Sequence, residues 1–311
     1  MNAIAITVVP VFLLIGLGYL AARFKLLDTG GVTGLNNFVF MFAIPALLFR
    51  TAMKVDIGVT APWRLWGAYF GAAAIVWILT VLISPKIPSL RPSGGAAAAI
   101  AASFGNLVMM GIPLSFAHYG EAAVIPAALI VAIHAPVHWF FATLRAEWSD
   151  RQGGSIAATL RELVISLAKN PIVMALLAGA VWGFTGFGLH PILDRTITLL
   201  GQAGVPAALF ALGLSLAAYG FKGHIRGMSV LLVMKMAVFP LVAGVMAFKV
   251  FDLPLLYANI VVLFACLPPG ANAYLFASRY KVSVAPVSGA IGLGTFVALF
   301  SVTAVLWFLG S

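Results

Sequence analysis

The chain alternates long apolar stretches with short polar connections over its whole length. A helix that crosses a bilayer needs about 20 mostly apolar residues. The pattern therefore predicts an all-α polytopic membrane protein with ten transmembrane helices. These are expected near residues 3–22, 32–49, 63–84, 95–117, 122–144, 171–188, 192–218, 228–248, 255–277 and 285–309.

The two halves of the chain, residues 1–146 and residues 165–311, contain similar positions that are displaced by a constant 161 residues. Matched pairs include Pro10 and Pro171, Gly18 and Gly179, Pro45 and Pro206, and Tyr119 and Tyr280. Each copy carries five predicted spans, an odd number, so the second copy enters the membrane in the opposite sense. Inverted repeats of this kind are typical of secondary transporters with a midplane site.

We therefore expect a first five-helix repeat over 1–146 and a second, inverted repeat over 169–311. Residues 147–168 would form a linker on the cytoplasmic side. After a polar turn from Asp150 to Gly154, apolar residues recur at helical spacing, which predicts an amphipathic helix on the membrane surface. These residues are Ile156, Leu160, Leu163, Val164 and Leu167. The matched prolines Pro45 and Pro206 predict kinks in the second and seventh spans.

The composition agrees with a membrane domain. Apolar residues make up 63% of the chain and charged residues 8%, which is too little charge to cover a water-facing surface. The net charge of +10 is spread over loops, an arrangement that argues against nucleic-acid binding. One set of loops carries twelve basic residues and the other five, so the positive-inside rule predicts both termini on the outer, periplasmic side of the cell (inner) membrane.

Two of the predicted spans contain residues that interrupt helices. The fourth contains Gly105, Asn106, Gly111 and Pro113, and the ninth contains the run from Pro268 to Asn272. Unwound backbone at membrane depth is tolerated only where it is buried in protein or lines a cavity. Interrupted spans at corresponding places in inverted halves therefore indicate a transport site.

The chemistry of such a site favours an anion. The N-termini of half-helices present free N–H groups and partial positive charge. Asn106 and Asn272 add neutral amide donors that could hold a carboxylate. The alternative is that the two amides only satisfy the broken backbone. We expect the substrate to contact Asn106, Asn272, Gly111, Pro113, Pro268, Pro269, Gly270 and Lys235.

Lys235 is the ionisable residue that lies well inside a span, since all eight acidic residues fall in loops or at span ends. Its counter-charge would be the substrate or helix C-terminal carbonyls, and a purely structural lysine is the alternative. His134 and His138 stand four residues apart in the fifth span, without an acid that would favour a metal site. Proton handling by His134 or Lys235 is possible, as are sodium coupling and uncoupled transport. No cofactor is predicted.

Several motifs together resemble the auxin efflux carrier family. They are Gly18-Tyr19, Asn37 ahead of Ile44–Phe49, the Gly105-to-Leu114 run, Asn170-Pro171, and Pro268 to Tyr280. The short linker is similar to the bacterial members, within the bile-acid, arsenite and riboflavin transporter superfamily. The resemblance implies crossing broken helices four and nine, with Pro113 and Pro268 or Pro269 as the crossover prolines. It also implies a scaffold bundle, a mobile crossover bundle, and often a homodimer.

The sequence thus predicts a carrier, not an enzyme, for a small organic anion such as a mono- or dicarboxylate, either malate- or malonate-like or auxin-like. Its partners would be that anion, membrane lipid and a coupling proton or sodium ion. The alternatives are a transporter-like membrane sensor and a membrane-embedded enzyme without transport activity. The short loops supply no obvious output domain for a sensor, and the spans lack convergent catalytic groups.

Overall fold

The computed structural model describes residues 2–54, 62–149, 156–217 and 224–309. Within these ranges the regular secondary structure is helical. The α-helices are α1 (Asn2–Arg23), α2 (Thr29–Phe38), α3 (Ile44–Ala52), α4 (Pro62–Ile83), α5 (Ala96–Ser103), α6 (Ile112–Tyr119), α7 (Val124–Ser149), α8 (Ile156–Ala168), α9 (Pro171–Thr185), α10 (Pro191–Leu216), α11 (Ile225–Val233), α12 (Phe239–Val245), α13 (Leu255–Cys266), α14 (Ala271–Tyr280) and α15 (Val284–Leu309).

Wider π-helical turns join several of these helices. They are Val39–Ala43, Leu107–Gly111, Met234–Val238 and Met246–Val250. Short 3₁₀ turns occupy Ser84–Lys86, Pro92–Gly95 and Gly120–Ala123. A π turn leaves one extra residue in the helix and often marks a functional position.

Six helical segments in the described part of the chain are long and apolar enough to cross a membrane. These are Gly30–Ala52, Pro62–Lys86, Leu107–Ser149, Pro191–Leu216, Ile225–Val250 and Val284–Leu309. A seventh is reached if α8 and α9 are counted as one bent span. The segments Val8–Arg23 and Leu255–Cys266 are apolar but shorter. The fold is therefore a multi-pass helical membrane protein, and the count of ten spans stays a prediction.

The chain forms two compact units, and each draws on both predicted halves. Unit 1 comprises Met1–Ala61, Val108–Ala132 and Leu167–Ala218. Unit 2 comprises Pro62–Leu107, Ile133–Ser166 and Tyr219–Ser311. The units thus combine segments that are distant in sequence, and the inverted repeat itself remains a prediction.

Unit 1 is built on close helix packing at glycines. A Cβ added to Gly18 would collide with the carbonyl group of Phe210, and one added to Gly213 would collide with that of Ile15. Helices α1 and α10 therefore approach each other nearly backbone to backbone. A Cβ on Gly183 of α9 would lie 2.6 Å from the carbonyl oxygen of Met53, so α9 lies equally close to the end of α3.

The matched prolines lie in unit 1 without interrupting their helices. Pro45 lies in the first turn of α3, directly after the π turn Val39–Ala43. Pro206 lies inside α10, which runs through it over 26 residues. Both spans are therefore long apolar helices that contain a proline.

Unit 2 has the more deeply buried core. Every residue of α5 is buried, and the buried part of α13 runs from Ala258 to Cys266. Both helices are short and end inside the unit. The predicted linker helix is present as α8, and it exposes Ile156, Leu160 and Val164. The polar turn predicted from Asp150 to Gly154 lies outside the described residues.

Candidate functional site

The first helix interruption lies at Phe104–Asn106. Helix α5 ends at Ser103, and Phe104 adopts an extended conformation with φ −85° and ψ 109°. The chain becomes helical again in the π turn Leu107–Gly111, which leads into α6. The interruption therefore coincides with the predicted Gly105-Asn106 pair and precedes Pro113.

The second interruption lies between α13 and α14. Leu267 is extended with φ −67° and ψ 154°, and Gly270 is extended with φ −87° and ψ 160°. Pro268 and Pro269 lie between them and cannot donate backbone hydrogen bonds. A proline pair in this position ends α13, and α14 begins at Ala271.

The two interruptions lie side by side in unit 2 and satisfy each other's backbone groups. The Asn106 backbone N–H donates to the Pro268 carbonyl at 3.0 Å, and the Gly270 N–H donates to the Phe104 carbonyl at 3.0 Å. Gly105 and Pro269 form an isolated antiparallel bridge between these bonds. Backbone polar groups in a membrane must find partners within the protein. This short paired segment, the bridge, is how the protein provides them.

Two glycines allow the close approach at the bridge. A Cβ on Gly270 would lie 2.8 Å from the Gly105 carbonyl oxygen. A Cβ on Gly294 of α15 would lie 3.1 Å from Cβ of Pro268 and 3.2 Å from Cδ of Pro269. Helix α15 therefore supports the proline pair directly.

Of the two predicted anion-binding amides, one belongs to the bridge and the other follows it in the chain. Asn106 belongs to it and is 7% exposed, whereas Asn272 is half-buried in the first turn of α14. Within the described ranges, neither side-chain amide has a hydrogen-bond partner. The broken backbone is satisfied by its own groups, so these amides are available for another role.

Lys235 reaches the bridge from the π turn Met234–Val238 and is fully buried. Its Nζ donates to the carbonyl oxygen of Ala265 at 2.7 Å, near the C-terminal end of α13. The same Nζ lies 3.3 Å from where a Cβ of Gly105 would be, and 4.7 Å from the centre of the Phe239 ring. A helix C-terminal carbonyl, one of the two predicted counter-charges, is thus in contact with the lysine.

His134 and His138 lie in an aromatic cluster beside the first interruption. The Phe104 ring stacks on His134 with centroids 4.1 Å apart, and the Tyr69 hydroxyl lies 3.3 Å from Nε2 of His134. Nδ1 of His138 lies 2.8 Å from the His134 carbonyl oxygen, to which it donates. The two histidines are 3% and 4% exposed, so both are core residues. No group of three or more metal-ligating side chains occurs among the described residues.

Two predicted site residues lie elsewhere. Gly111 closes the π turn and Pro113 lies in the first turn of α6, and both belong to unit 1. Proline is tolerated in the first turn of a helix because its missing N–H has no intrahelical partner there. The structure therefore brings together Asn106, the Pro268–Gly270 segment and Lys235, while Gly111 and Pro113 follow the interruption.

Tyr69, Phe104 and Gly294 contact the site although the sequence does not predict them as site residues. Tyrosine and phenylalanine in apolar helices are typical of ordinary core positions, and a glycine in an apolar helix is typical of close helix packing. The immediate proximity of Phe104 to Gly105-Asn106 was the one signal available. The contacts of Tyr69 and Gly294 depend on tertiary packing.

Comparison with known proteins gives matches over almost the whole chain. A model of the family described as "Membrane transport protein" matches residues 3–306. The "Putative malonate transporter" of Rhizobium meliloti (strain 1021) is 27% identical, covering 98% of this chain and 95% of its own. "Uncharacterized transporter YfdV" of Escherichia coli (strain K12) is 24% identical over 96% of this chain and 94% of its own.

A plant relative extends the comparison. "Auxin efflux carrier component 8" of Arabidopsis thaliana is 23% identical over 94% of this chain and 93% of its own. These matches confirm the resemblance found in the motifs, and they point to a transporter rather than an enzyme. The chain belongs to the membrane transport protein family that includes the auxin efflux carriers, as a member of the bacterial type.

Proposed function

We propose that this protein is a secondary carrier of a small organic anion, a mono- or dicarboxylate such as malonate. The observation that carries the proposal is the pair of helix interruptions joined at the bridge, with two asparagine side chains and one buried lysine around it. Discontinuous helices in transporters expose backbone dipoles where substrates bind. The name of the Rhizobium meliloti relative supports a dicarboxylate.

The chemistry of the bridge suits a carboxylate. Asn106 and Asn272 would donate amide hydrogen bonds to its oxygens, and the N-terminal turn of α14 would add partial positive charge. The Lys235 ammonium has three donors, and the Ala265 carbonyl occupies one of them among the described residues. Lys235 could therefore neutralise the anion while keeping its structural hydrogen bond.

The transport cycle that we infer is alternating access. Unit 2 contains both interruptions and would act as the mobile crossover bundle, whereas unit 1 would act as the scaffold. The full arrangement would be ten spans in two inverted repeats, with both termini on the periplasmic side of the inner membrane. A proton carried by His134 or Lys235, or a sodium ion, would be the coupling ion, and a homodimer would be the assembly.

Uptake of radiolabelled malonate into proteoliposomes tests the proposal. Asn106→Ala and Asn272→Ala should each abolish uptake while the purified proteins remain folded, as judged by gel filtration and circular dichroism. Gln202→Ala is the matched control, since Gln202 is an exposed amide on α10 in unit 1, and it should transport normally. Normal flux in either asparagine variant would reject the assignment of the amides.

A further inference from the structure

The aromatic cluster beside the first interruption contains a hydroxyl and an imidazole that face each other. Tyr69 of α4 is fully buried, His134 of α7 is 3% exposed, and the Tyr69 hydroxyl lies 3.3 Å from Nε2 of His134. Burying a polar group is costly unless it is hydrogen-bonded, and in a membrane span no bulk water can replace the partner. The pair therefore joins α4 to α7 and fixes the orientation of the His134 ring.

The His134 ring in turn holds Phe104. The two rings are stacked, with centroids 4.1 Å apart and an angle of 28° between their planes. The ring of His138, one helical turn further along α7, meets Phe104 edge-on at 5.4 Å. Phe104 thus lies against two rings of α7, and Tyr69 anchors the nearer one.

Phe104 is also part of the bridge. Its carbonyl oxygen accepts the Gly270 N–H at 3.0 Å. Its ring atoms Cε1 and Cδ1 would lie 2.8 and 2.9 Å from a Cβ of Gly270. The carbonyl and the ring of one residue therefore both face the second interruption, so a shift of the Phe104 ring would displace the bridge.

The bridge depends on support from its two sides. Two backbone hydrogen bonds join the interruptions, and two paired segments without further support are marginally stable at best. Gly294 of α15 supports the side of Pro268 and Pro269. On the Phe104 side the support comes from the histidine rings of α7. All these residues belong to unit 2.

We propose that Tyr69 and His134 are positioning residues for the bridge, and that they act through the Phe104 ring. The contacts run from the Tyr69 hydroxyl to the His134 ring, then to Phe104, and from Phe104 to Gly270. Asn106 follows Phe104 by two residues, so the same contacts would set the position of one amide of the proposed anion site. This role requires no proton uptake by His134. Its consequence for transport rests on the proposed function, whereas its consequence for the bridge does not.

Hydrogen exchange of the purified full chain in detergent, measured by mass spectrometry, tests the proposal without a ligand. Exchange rates report how often a segment opens locally. Because Pro268 and Pro269 have no N–H, a peptide over 267–271 reports chiefly on Gly270, whose N–H donates across the bridge. The buried residues 258–264 of α13 provide the internal reference.

Tyr69→Phe removes the hydroxyl and keeps the ring. Exchange at Gly270 should become about fivefold faster, the factor that corresponds to about 1 kcal/mol for one net hydrogen bond. The reference segment of α13 should exchange at the wild-type rate. Tyr257→Phe is the matched control, since Tyr257 is a half-buried tyrosine in the first turn of α13, at the end far from the bridge. It should leave exchange at Gly270 unchanged.

A double-mutant cycle tests the path through Phe104. Phe104→Leu removes the stacked ring but keeps the backbone carbonyl, and it should accelerate exchange at Gly270 by itself. Adding Tyr69→Phe to Phe104→Leu should cause no further acceleration, because the hydroxyl acts through the ring. In uptake assays Tyr69→Phe should raise the malonate concentration for half-maximal uptake severalfold, whereas Tyr257→Phe should not.

Three outcomes would overturn the proposal. A wild-type rate at Gly270 in Tyr69→Phe would mean that the pair does not hold the bridge. An equal acceleration in α13 would mean that the hydroxyl stabilises unit 2 as a whole. Equal effects of Tyr69→Phe with and without the Phe104 ring would show that the two residues act independently. The expected exchange rates in a protein that takes up no malonate would instead support the positioning role and reject the proposed substrate.

Discussion

Gly270→Ala is the substitution that most sharply tests the role of the bridge. Gly270 has ordinary extended backbone angles, which alanine adopts without strain. The effect of the new methyl group is therefore purely steric. It would lie 2.8 Å from the Gly105 carbonyl oxygen and 2.8 Å from Cε1 of Phe104.

Neither neighbour can move away easily. The Gly105 carbonyl belongs to the paired backbone of the bridge, and the Phe104 ring is stacked on His134. Overpacking a well-packed core costs about 1–3 kcal/mol. Alanine also restricts the unfolded chain, which contributes about 0.4–1 kcal/mol in the opposite direction. The steric cost is the larger, so we expect a net loss of stability and a displaced bridge.

The assay combines thermal unfolding in detergent with malonate uptake. Gly270→Ala should unfold at a lower temperature and transport little or no malonate. Gly34→Ala is the control, because a Cβ on Gly34 of α2 meets no atom within 4 Å. Alanine favours a helix over glycine by about 0.5–1 kcal/mol, so this control should be at least as stable as the wild type. A Gly270→Ala protein with wild-type stability and uptake would refute the close approach of the two interruptions.

Two further predictions concern charged side chains. Lys235→Met preserves the length of the side chain but removes its charge, so malonate uptake should be lost while the protein stays folded. Lys86→Met is the control, since Lys86 is an exposed lysine, and it should transport normally. Normal uptake by Lys235→Met would show that Lys235 is only structural. Arg50 pairs with Asp194 at 2.8 Å and with Glu121 at 3.6 Å, and all three side chains are partly exposed. Arg50→Gln should therefore lower the unfolding temperature at low salt, and the loss should shrink at about 1 M NaCl, where screening is strong. Arg195→Gln is the control, since Arg195 is an exposed arginine without such pairs among the described residues. An equal decrease in the unfolding temperature of Arg50→Gln at both salt concentrations would contradict an electrostatic origin.

The sequence located the helix interruptions because their residues are chemically unusual inside apolar spans. Proline, glycine and asparagine disfavour helix, and their positions at Gly105-Asn106 and Pro268–Gly270 matched the observed breaks. The role of Pro113 was harder to predict from the sequence. A proline can end one helix or begin the next, and here it begins α6 after the chain has already been interrupted at Phe104.

The aromatic cluster could not be predicted for a different reason. The contact of Tyr69 with His134 joins residues 65 positions apart, and nothing local distinguishes Tyr69 from other aromatic core residues. The contact of Lys235 with Ala265 was anticipated only as one alternative, because a buried lysine can pair with a carbonyl or with a substrate. The compact units likewise depend on contacts between distant segments, which apolar periodicity does not specify.

The proposed function requires the amides at the bridge to hold a carboxylate, and ligand-dependent thermal unfolding measures whether they do. A ligand that binds the folded state raises its unfolding temperature by mass action. Malonate should raise the unfolding temperature of the wild type saturably, whereas malonamide, of similar shape but uncharged, should not. The double variant Asn106→Ala/Asn272→Ala should show no response to either compound. Equal stabilisation by malonate of the wild type and the double variant would show that the two amides do not bind the carboxylate.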